Sequence, residues 1–168
     1  MKELKKYLLV GGAILFSVLI FIFRDKLTYL QNFGYIGIFF LSLIGNATVI
    51  LPVPAFLTAL VGGAVFNPFI VGIVAALGAT IGKLTGYYAG VGGSEFVKTD
   101  EKIVKIQKWM EKYGLWTIFF LAAIPNPAFD LAGMVAGASK IPVWKYLLVV
   151  FPGKLIKFII IAYAGSIF

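Results

Sequence analysis

Apolar residues run along this chain in long blocks, and polar positions fall mainly between them. Residues 7–23 carry no charge, follow Lys2, Lys5 and Lys6, and precede Arg24, Asp25 and Lys26. A signal peptide has a shorter apolar region ending at small residues, so this block reads as a retained first transmembrane helix. Residues 24–32 form a polar connector, and 35–69 are again uncharged. Pro52-Val53-Pro54 stands inside that second block, preceded by Gly45-Asn46-Ala47-Thr48. Two prolines one residue apart remove two backbone donors and interrupt a helix. Broken backbone at membrane depth has to be covered by protein or line a watery cavity. The block therefore predicts half-helices over 35–44 and 55–66, folded as a re-entrant hairpin; one strongly kinked span is the alternative. Asn67-Pro68 marks a turn, and 68–89 predicts a long helix with Lys83 as its one charge. Gly78, Gly82 and Gly86 recur on one face, a spacing that admits a close neighbour helix.

The stretch after residue 91 changes character. Thr99 can cap a helix with Asp100 and Glu101 in its first turn. Ile103, Ile106, Trp109, Met110 and Tyr113 then fall near one side, with Lys98, Lys102, Lys105, Lys108 and Lys112 around them. This predicts an amphipathic helix over 94–112 lying in the membrane interface, or else a helix packed on the protein. Residues 115–124 are apolar, Pro125-Asn126-Pro127 interrupts them, and 128–138 resumes with Asp130. After the Lys140-Ile141-Pro142 turn, 143–168 forms a last hydrophobic segment containing Lys145, Pro152-Gly153, Lys154 and Lys157.

The landmarks repeat in order. Ile38-Phe39-Phe40 resembles Ile118-Phe119-Phe120, Pro52-Val53-Pro54 resembles Pro125-Asn126-Pro127, and Pro68 resembles Pro142. Gly82-Lys83-Leu84 resembles Gly153-Lys154-Leu155. The expected organisation is an N-terminal helix and connector over 1–33, then a domain over 34–168. That domain contains repeat A (34–90), the interfacial helix (94–112) and repeat B (113–168). The fold class expected is all-α: a polytopic helical membrane protein with two inverted repeats, each a proline-broken re-entrant hairpin plus a transmembrane helix. With re-entrant hairpins, the lysines of 98–112 share the cytoplasmic side with the N-terminus, as the positive-inside rule requires, and the C-terminus lies outside. If the broken segments crossed fully, the same lysines would lie outside.

Composition sharpens this picture. The chain has 168 residues, 61% hydrophobic and 13% charged, with a mean hydropathy of +0.98. Soluble domains carry about twice that share of charge. Fifteen basic residues face seven acidic ones, which suits a cell membrane with anionic lipids and not nucleic acid. Cys and His are absent, which excludes disulfides, thiolate chemistry, zinc fingers and imidazole triads. No phosphate-binding Gly-x-x-x-x-Gly-Lys-[Ser/Thr] motif is present, and no cofactor or metal is expected. An enzyme is the least favoured class, since only a Lys or Ser nucleophile would be available.

Lys83, Lys154 and Lys157 fall within predicted spans, where each costs roughly 2.5–3.5 kcal/mol unless it faces protein or water. Lys154 and Lys157 share a helix face, and the repeat makes Lys83 the counterpart of Lys154. Against Asp130 these lysines leave a positive surplus that a bound anion would neutralise. Half-helices starting near Ala55 and Ala128 add their N-terminal dipoles, and Asn126 is a suitable cap before Pro127. The candidate substrate-binding set is Lys83, Lys154, Lys157, Asp130, Asn126 and Asn46. Pro52, Pro54, Pro125, Pro127 and Gly153 are candidate hinges or re-entrant breaks. Plainer roles stand beside these. Lys83 and Lys157 could snorkel, Asp130 could favour a helix N-terminus or pair with Lys154, and Asn46 could satisfy broken backbone.

The run Gly78-Ala79-Thr80-Ile81-Gly82-Lys83-Leu84-Thr85-Gly86-Tyr87-Tyr88-Ala89-Gly90 resembles the glycine-rich signature of the DedA/VTT (SNARE-associated) membrane proteins. Ile124-Pro125-Asn126-Pro127-Ala128-Phe129-Asp130-Leu131-Ala132-Gly133 resembles their second re-entrant motif. The resemblance implies inverted re-entrant hairpins and lipid transport, including flippases for polyprenyl phosphate and scramblases for phospholipid, with use of the proton gradient. The chain departs from the family pattern in having no acid between 34 and 68, alanines at 122 and 123, and Arg24 as its sole arginine. The expected function is transport of an anionic phosphate-bearing lipid between leaflets. Transport of a small soluble anion and a non-catalytic envelope scaffold are the alternatives. Expected partners are lipid headgroups, with a coupling proton and further copies of the chain also admitted.

Overall fold

A computed structural model of the chain describes residues 30–47, 55–92, 101–124 and 128–167. The chain divides into two compact units at Gly34, and the unit Tyr35–Phe168 holds nearly all the described residues. The expected first span over 7–23, and Pro52, Pro54, Pro125, Asn126 and Pro127, lie outside the described residues.

Among the described residues the structure is helical throughout, without strands. The helices are α1 (Leu30–Ala47), α2 (Ala55–Val65), α3 (Pro68–Gly82), α4 (Leu84–Gly92), α5 (Glu101–Tyr113), α6 (Leu115–Ala123), α7 (Ala128–Ala138) and α8 (Val143–Gly165). Gly34, at φ 53, kinks α1, so its regular part begins at Tyr35. Asn67 starts α3: its side-chain oxygen accepts from the N–H groups of Phe69 and Ile70 at 3.1 and 3.2 Å, and Pro68 needs no partner in the first turn. Lys83 joins α3 to α4 in a tightened turn, with its N–H donating to Ala79 and its carbonyl accepting from Tyr87. Pro68–Gly92 and Val143–Gly165 are thus 25 and 23 residues long, enough to cross a membrane. Helices α2 and α7 have 11 residues each and α6 has nine, so each covers about half of a ~30 Å hydrocarbon core or less.

Two seams hold the unit together. At Gly63 and Gly165 an added Cβ would run into the backbone carbonyls of Ala162 and Leu60, so α2 and α8 touch main chain to main chain. At Gly90 and Gly137 it would meet the carbonyls of Met134 and Tyr87, so α4 and α7 do the same. Only small residues allow this approach in lipid. Gly78 and Gly82 press against α1 near Phe39 and Leu43, while Gly86 is looser, an added Cβ there lying 3.9 Å from the Asp130 carbonyl oxygen.

One core gathers Ile38, Ala59, Val71, Ala75, Ala76, Ala79, Phe158 and Ala162. A second gathers Tyr87, Ile118, Ala122, Phe129, Ala136, Tyr146 and Val150. The structure divides the apolar set expected on α5. Ile103 and Ile106 are buried against Ala132 and Val135 of α7, whereas Trp109 and Tyr113 face outward. Leu131, Met134 and Ala138 complete this buried contact from α7. Large apolar residues such as Phe40, Leu148 and Ile160 cover the outer surface, as expected of a body solvated by lipid.

Candidate functional site

Lys154 sits on the buried stripe of α8, which runs Tyr146, Val150, Lys154, Phe158 and Ala162 at four-residue spacing. Only 2% of Lys154 is exposed. Gly153, one residue earlier, lets α6 approach: an added Cβ would lie 2.7 Å from the Phe119 carbonyl oxygen and 2.8 Å from the Ala122 Cβ. Lys154 is therefore fixed at its root by helix packing, beside Pro152 inside the same helix.

Its ammonium reaches the last turn of α1. Lys154 Nζ donates to Asn46 Oδ1 at 3.1 Å, and Asn46 Nδ2 donates to the Ser42 carbonyl at 2.8 Å. An ammonium cannot accept a hydrogen bond, so these two contacts fix the amide's orientation. The Phe129 ring of α7 lies 4.6 Å from Lys154 Nζ, and the Phe158 ring 6.0 Å away. These cation–π contacts stabilise the charge without neutralising it.

Lys83, also buried, forms an ion pair with Asp130 of α7. Thr85 Oγ1 donates to the carbonyls of Ala47 at 2.6 Å and Gly82 at 2.9 Å, tying the end of α1 to the α3–α4 junction. Lys157 is half-buried, with its ammonium 5.4 Å from the Phe158 ring. Lys83, Lys157 and Asp130 all lie close enough to act on the charge of Lys154. The described acids are Glu101, Glu111 and Asp130, and the first two belong to α5. Asp130 is paired with Lys83, so among the described residues the partner of Lys154 across the site is the neutral Asn46 amide, with Lys157 within hydrogen-bonding reach on its own helix.

The structure thus brings together five of the six candidate binding residues: Lys83, Lys154, Lys157, Asp130 and Asn46. The alternative pairing of Asp130 with Lys154 gives way to the Lys83 pair. Phe129 was not legible as a site residue, since an aromatic in an apolar run carries no signal of its own; its place beside Asp130 was the available hint. Tyr146 was also missed. It is fully buried, its hydroxyl has no hydrogen-bond partner among the described residues, and its ring lies 5.2 Å from that of Tyr87.

A profile described as the VTT domain matches residues 51–167. The chain belongs to the VTT domain family. The matched segment contains Lys83, Phe129, Asp130, Lys154 and Lys157, whereas Asn46 precedes it. Among VTT relatives, the "Alkaline phosphatase-like protein" of Lactococcus lactis subsp. cremoris is 28% identical over 156 residues, covering 82% of this chain and 72% of that one. The "Vacuole membrane protein KMS2" of Arabidopsis thaliana is 28% identical over 103 residues, covering 50% of this chain and 25% of that protein. The human "Vacuole membrane protein 1" is 41% identical over 51 residues, 30% of this chain and 13% of its own length. The VTT chain therefore spans about a quarter of the length of the plant relative. No solved structure matches it.

Proposed function

We propose that this VTT protein carries an anionic, phosphate-bearing lipid, such as a polyprenyl phosphate or a phospholipid, between the leaflets of a cell membrane. The observation that carries the reading is Lys154: a buried ammonium whose hydrogen-bonding partner across the site is neutral. A buried cation whose neighbouring carboxylate is engaged by another lysine is costly, and a phosphate oxygen relieves that cost far better than an amide does. Lys157 joins the headgroup from the same helix face. Lys83 becomes available when its bond to Asp130 opens, so Asp130 holds the third lysine in reserve. The lipid's chains stay outside, along the apolar surface.

We read the unit as two inverted repeats with re-entrant hairpins. The shortness of α2, α6 and α7 supports this. So does the exchange of arms: α1 and α6 pack on the spanning helix that follows them, whereas α2 and α7 pack on the spanning helix of the other half. Rocking one half against the other would expose the lysines to each leaflet in turn, with Gly153 and the proline breaks as hinges. The lysine-rich α5 then lies on the cytoplasmic side, with the N-terminus inside and the C-terminus outside. The activity proposed is transport, not enzymatic conversion, and it leaves room for proton coupling through Asp130.

The test is exchange of labelled polyprenyl phosphate and labelled phospholipid between leaflets of reconstituted vesicles, with an ion gradient supplied. Wild type is expected to exchange one of them, and Lys154→Ala to slow exchange tenfold or more, the factor of one charge-assisted hydrogen bond. Failure of folded wild type to move either lipid would overturn the reading in favour of small-anion transport or a scaffold.

A further inference from the structure

The turn between α5 and α6 carries a second feature, distinct from the lysine cluster. Gly114, at φ 59, reverses the chain there, and Thr117 Oγ1 donates to the Trp109 carbonyl at 2.9 Å, bracing α6 against α5. The angle between the two helices is an apolar groove of about 700 Å³, lined chiefly by Trp109, Lys112, Tyr113, Trp116, Phe120 and Leu121. Trp116 and Phe120 are 65% and 57% exposed, so large rings stand open along its wall. At one end Lys112 holds its ammonium 5.1 Å from the Tyr113 ring, and Lys105 lies similarly over Trp109.

We propose that this groove holds one anionic glycerophospholipid of the surrounding bilayer, its phosphate on Lys112 and an acyl chain along Trp116, Phe120 and Leu121. The groove is amphiphilic in the same sense as the ligand, apolar along its length and cationic at its α5 end. Tryptophan and tyrosine beside lysine is the chemistry of the headgroup boundary. The first turn of α6 lines the groove, and Gly114 offers it no side-chain cap, so the helix dipole adds to the attraction for a phosphate. Helix α5 carries four lysines against two glutamates. A second copy of a chain with formal charge +8 would bring mostly like charge to Lys112. An anionic lipid brings the opposite charge and enough acyl surface to cover the rings. This site does not depend on the transport reading, because none of its residues belongs to the Lys154 cluster.

The chain has three tryptophans, and two of them line the groove. In full-length Trp144→Phe protein, fluorescence therefore reports on Trp109 and Trp116 alone. The protein is reconstituted in phosphatidylcholine vesicles containing either dibrominated phosphatidylglycerol or dibrominated phosphatidylcholine at equal mole fraction. Brominated phosphatidylglycerol is expected to associate roughly fivefold more strongly, the factor of one lysine at an anionic membrane surface. Lys112→Gln should remove that preference, and Lys145→Gln, outside the groove, should retain it. Equal quenching by both lipids would overturn the proposal, reducing the groove to ordinary lipid-facing surface. Absence of quenching by either would overturn it too, showing the groove covered by a second copy or by another part of the chain. A preference that survives Lys112→Gln would remove the phosphate contact.

Discussion

Replacing Asn46 with leucine removes the oxygen that, among the described residues, accepts a hydrogen bond from the buried ammonium of Lys154 across the site, at 3.1 Å. A hydrogen bond to a charged group contributes about 1.5–3 kcal/mol, and a buried charge stripped of its partner adds a desolvation penalty. Asn46→Leu should therefore lower the unfolding free energy by at least about 1.5–3 kcal/mol. Lys154→Met leaves Asn46 Oδ1 unpaired, which costs about 1–3 kcal/mol less the gain from shedding a buried charge. The double variant replaces both partners by apolar groups of similar size. It should recover most of the lost stability and still be inactive in lipid exchange. The assay is reversible unfolding in mixed micelles, with the mole fraction of an anionic detergent as denaturant, run as a double-mutant cycle. The expected coupling is about 1.5–3 kcal/mol. A coupling below about 0.5 kcal/mol would refute the idea that Asn46 holds this charge. Full transport by the stable double variant would refute the functional role of Lys154 while leaving the structural one intact.

Breaking the Lys83–Asp130 pair should cost about 1–3 kcal/mol in either single variant, Lys83→Met or Asp130→Leu, because the lysine is buried and the carboxylate is partly open. The exchange Lys83→Asp with Asp130→Lys should regain part of that, as read in the same micelle titration. Gly63→Ala and Gly90→Ala each push a methyl into a carbonyl of the facing helix and should destabilise by about 1–3 kcal/mol. Gly92→Ala, whose methyl meets nothing within 4 Å among the described residues, should be neutral or stabilising by a few tenths of a kcal/mol, and a larger loss would show that the methyl has a neighbour there. Tyr146→Phe deletes a buried hydroxyl with no partner among the described residues and should be neutral or stabilising by up to about 1 kcal/mol, with a loss above that pointing to an unseen partner.

Local features were readable from the chain alone. Asn67-Pro68 marked the start of α3 because a cap and a proline act on their own backbone, and the glycine face of α3 announced a close neighbour. Lys154, Asp130 and Asn46 were legible because polar groups are expensive in such a segment and must converge. Partner choice was not legible. The sequence offered Asp130 only Lys154 as an ion-pair partner, and it is the seating of α7 against α4 that gives the carboxylate to Lys83 instead. The same holds for α5, where spacing alone does not say whether an apolar stripe meets lipid or protein; burial of Ile103 and Ile106 with Ala132 and Val135 decides it. Phe129 gained its place under Lys154 from long-range packing that no local pattern encodes.

The exchange of arms between halves sets a timetable for biogenesis. Helix α2 leaves the ribosome about 100 residues before the stretch of α8 whose main chain it touches, and Gly63 has no Ala162 to meet until then. At about 5–20 residues per second, that is a delay of about 5–20 s during which α2 waits with its small-residue face uncovered by α8. Helix α4 waits a shorter time for α7, with Gly90 and Tyr87 exposed to whatever else the membrane offers. Newly made chains are thus most vulnerable between synthesis of α2 and synthesis of α8. An insertase or chaperone that shields glycine faces would raise the yield of this protein without touching the folded state.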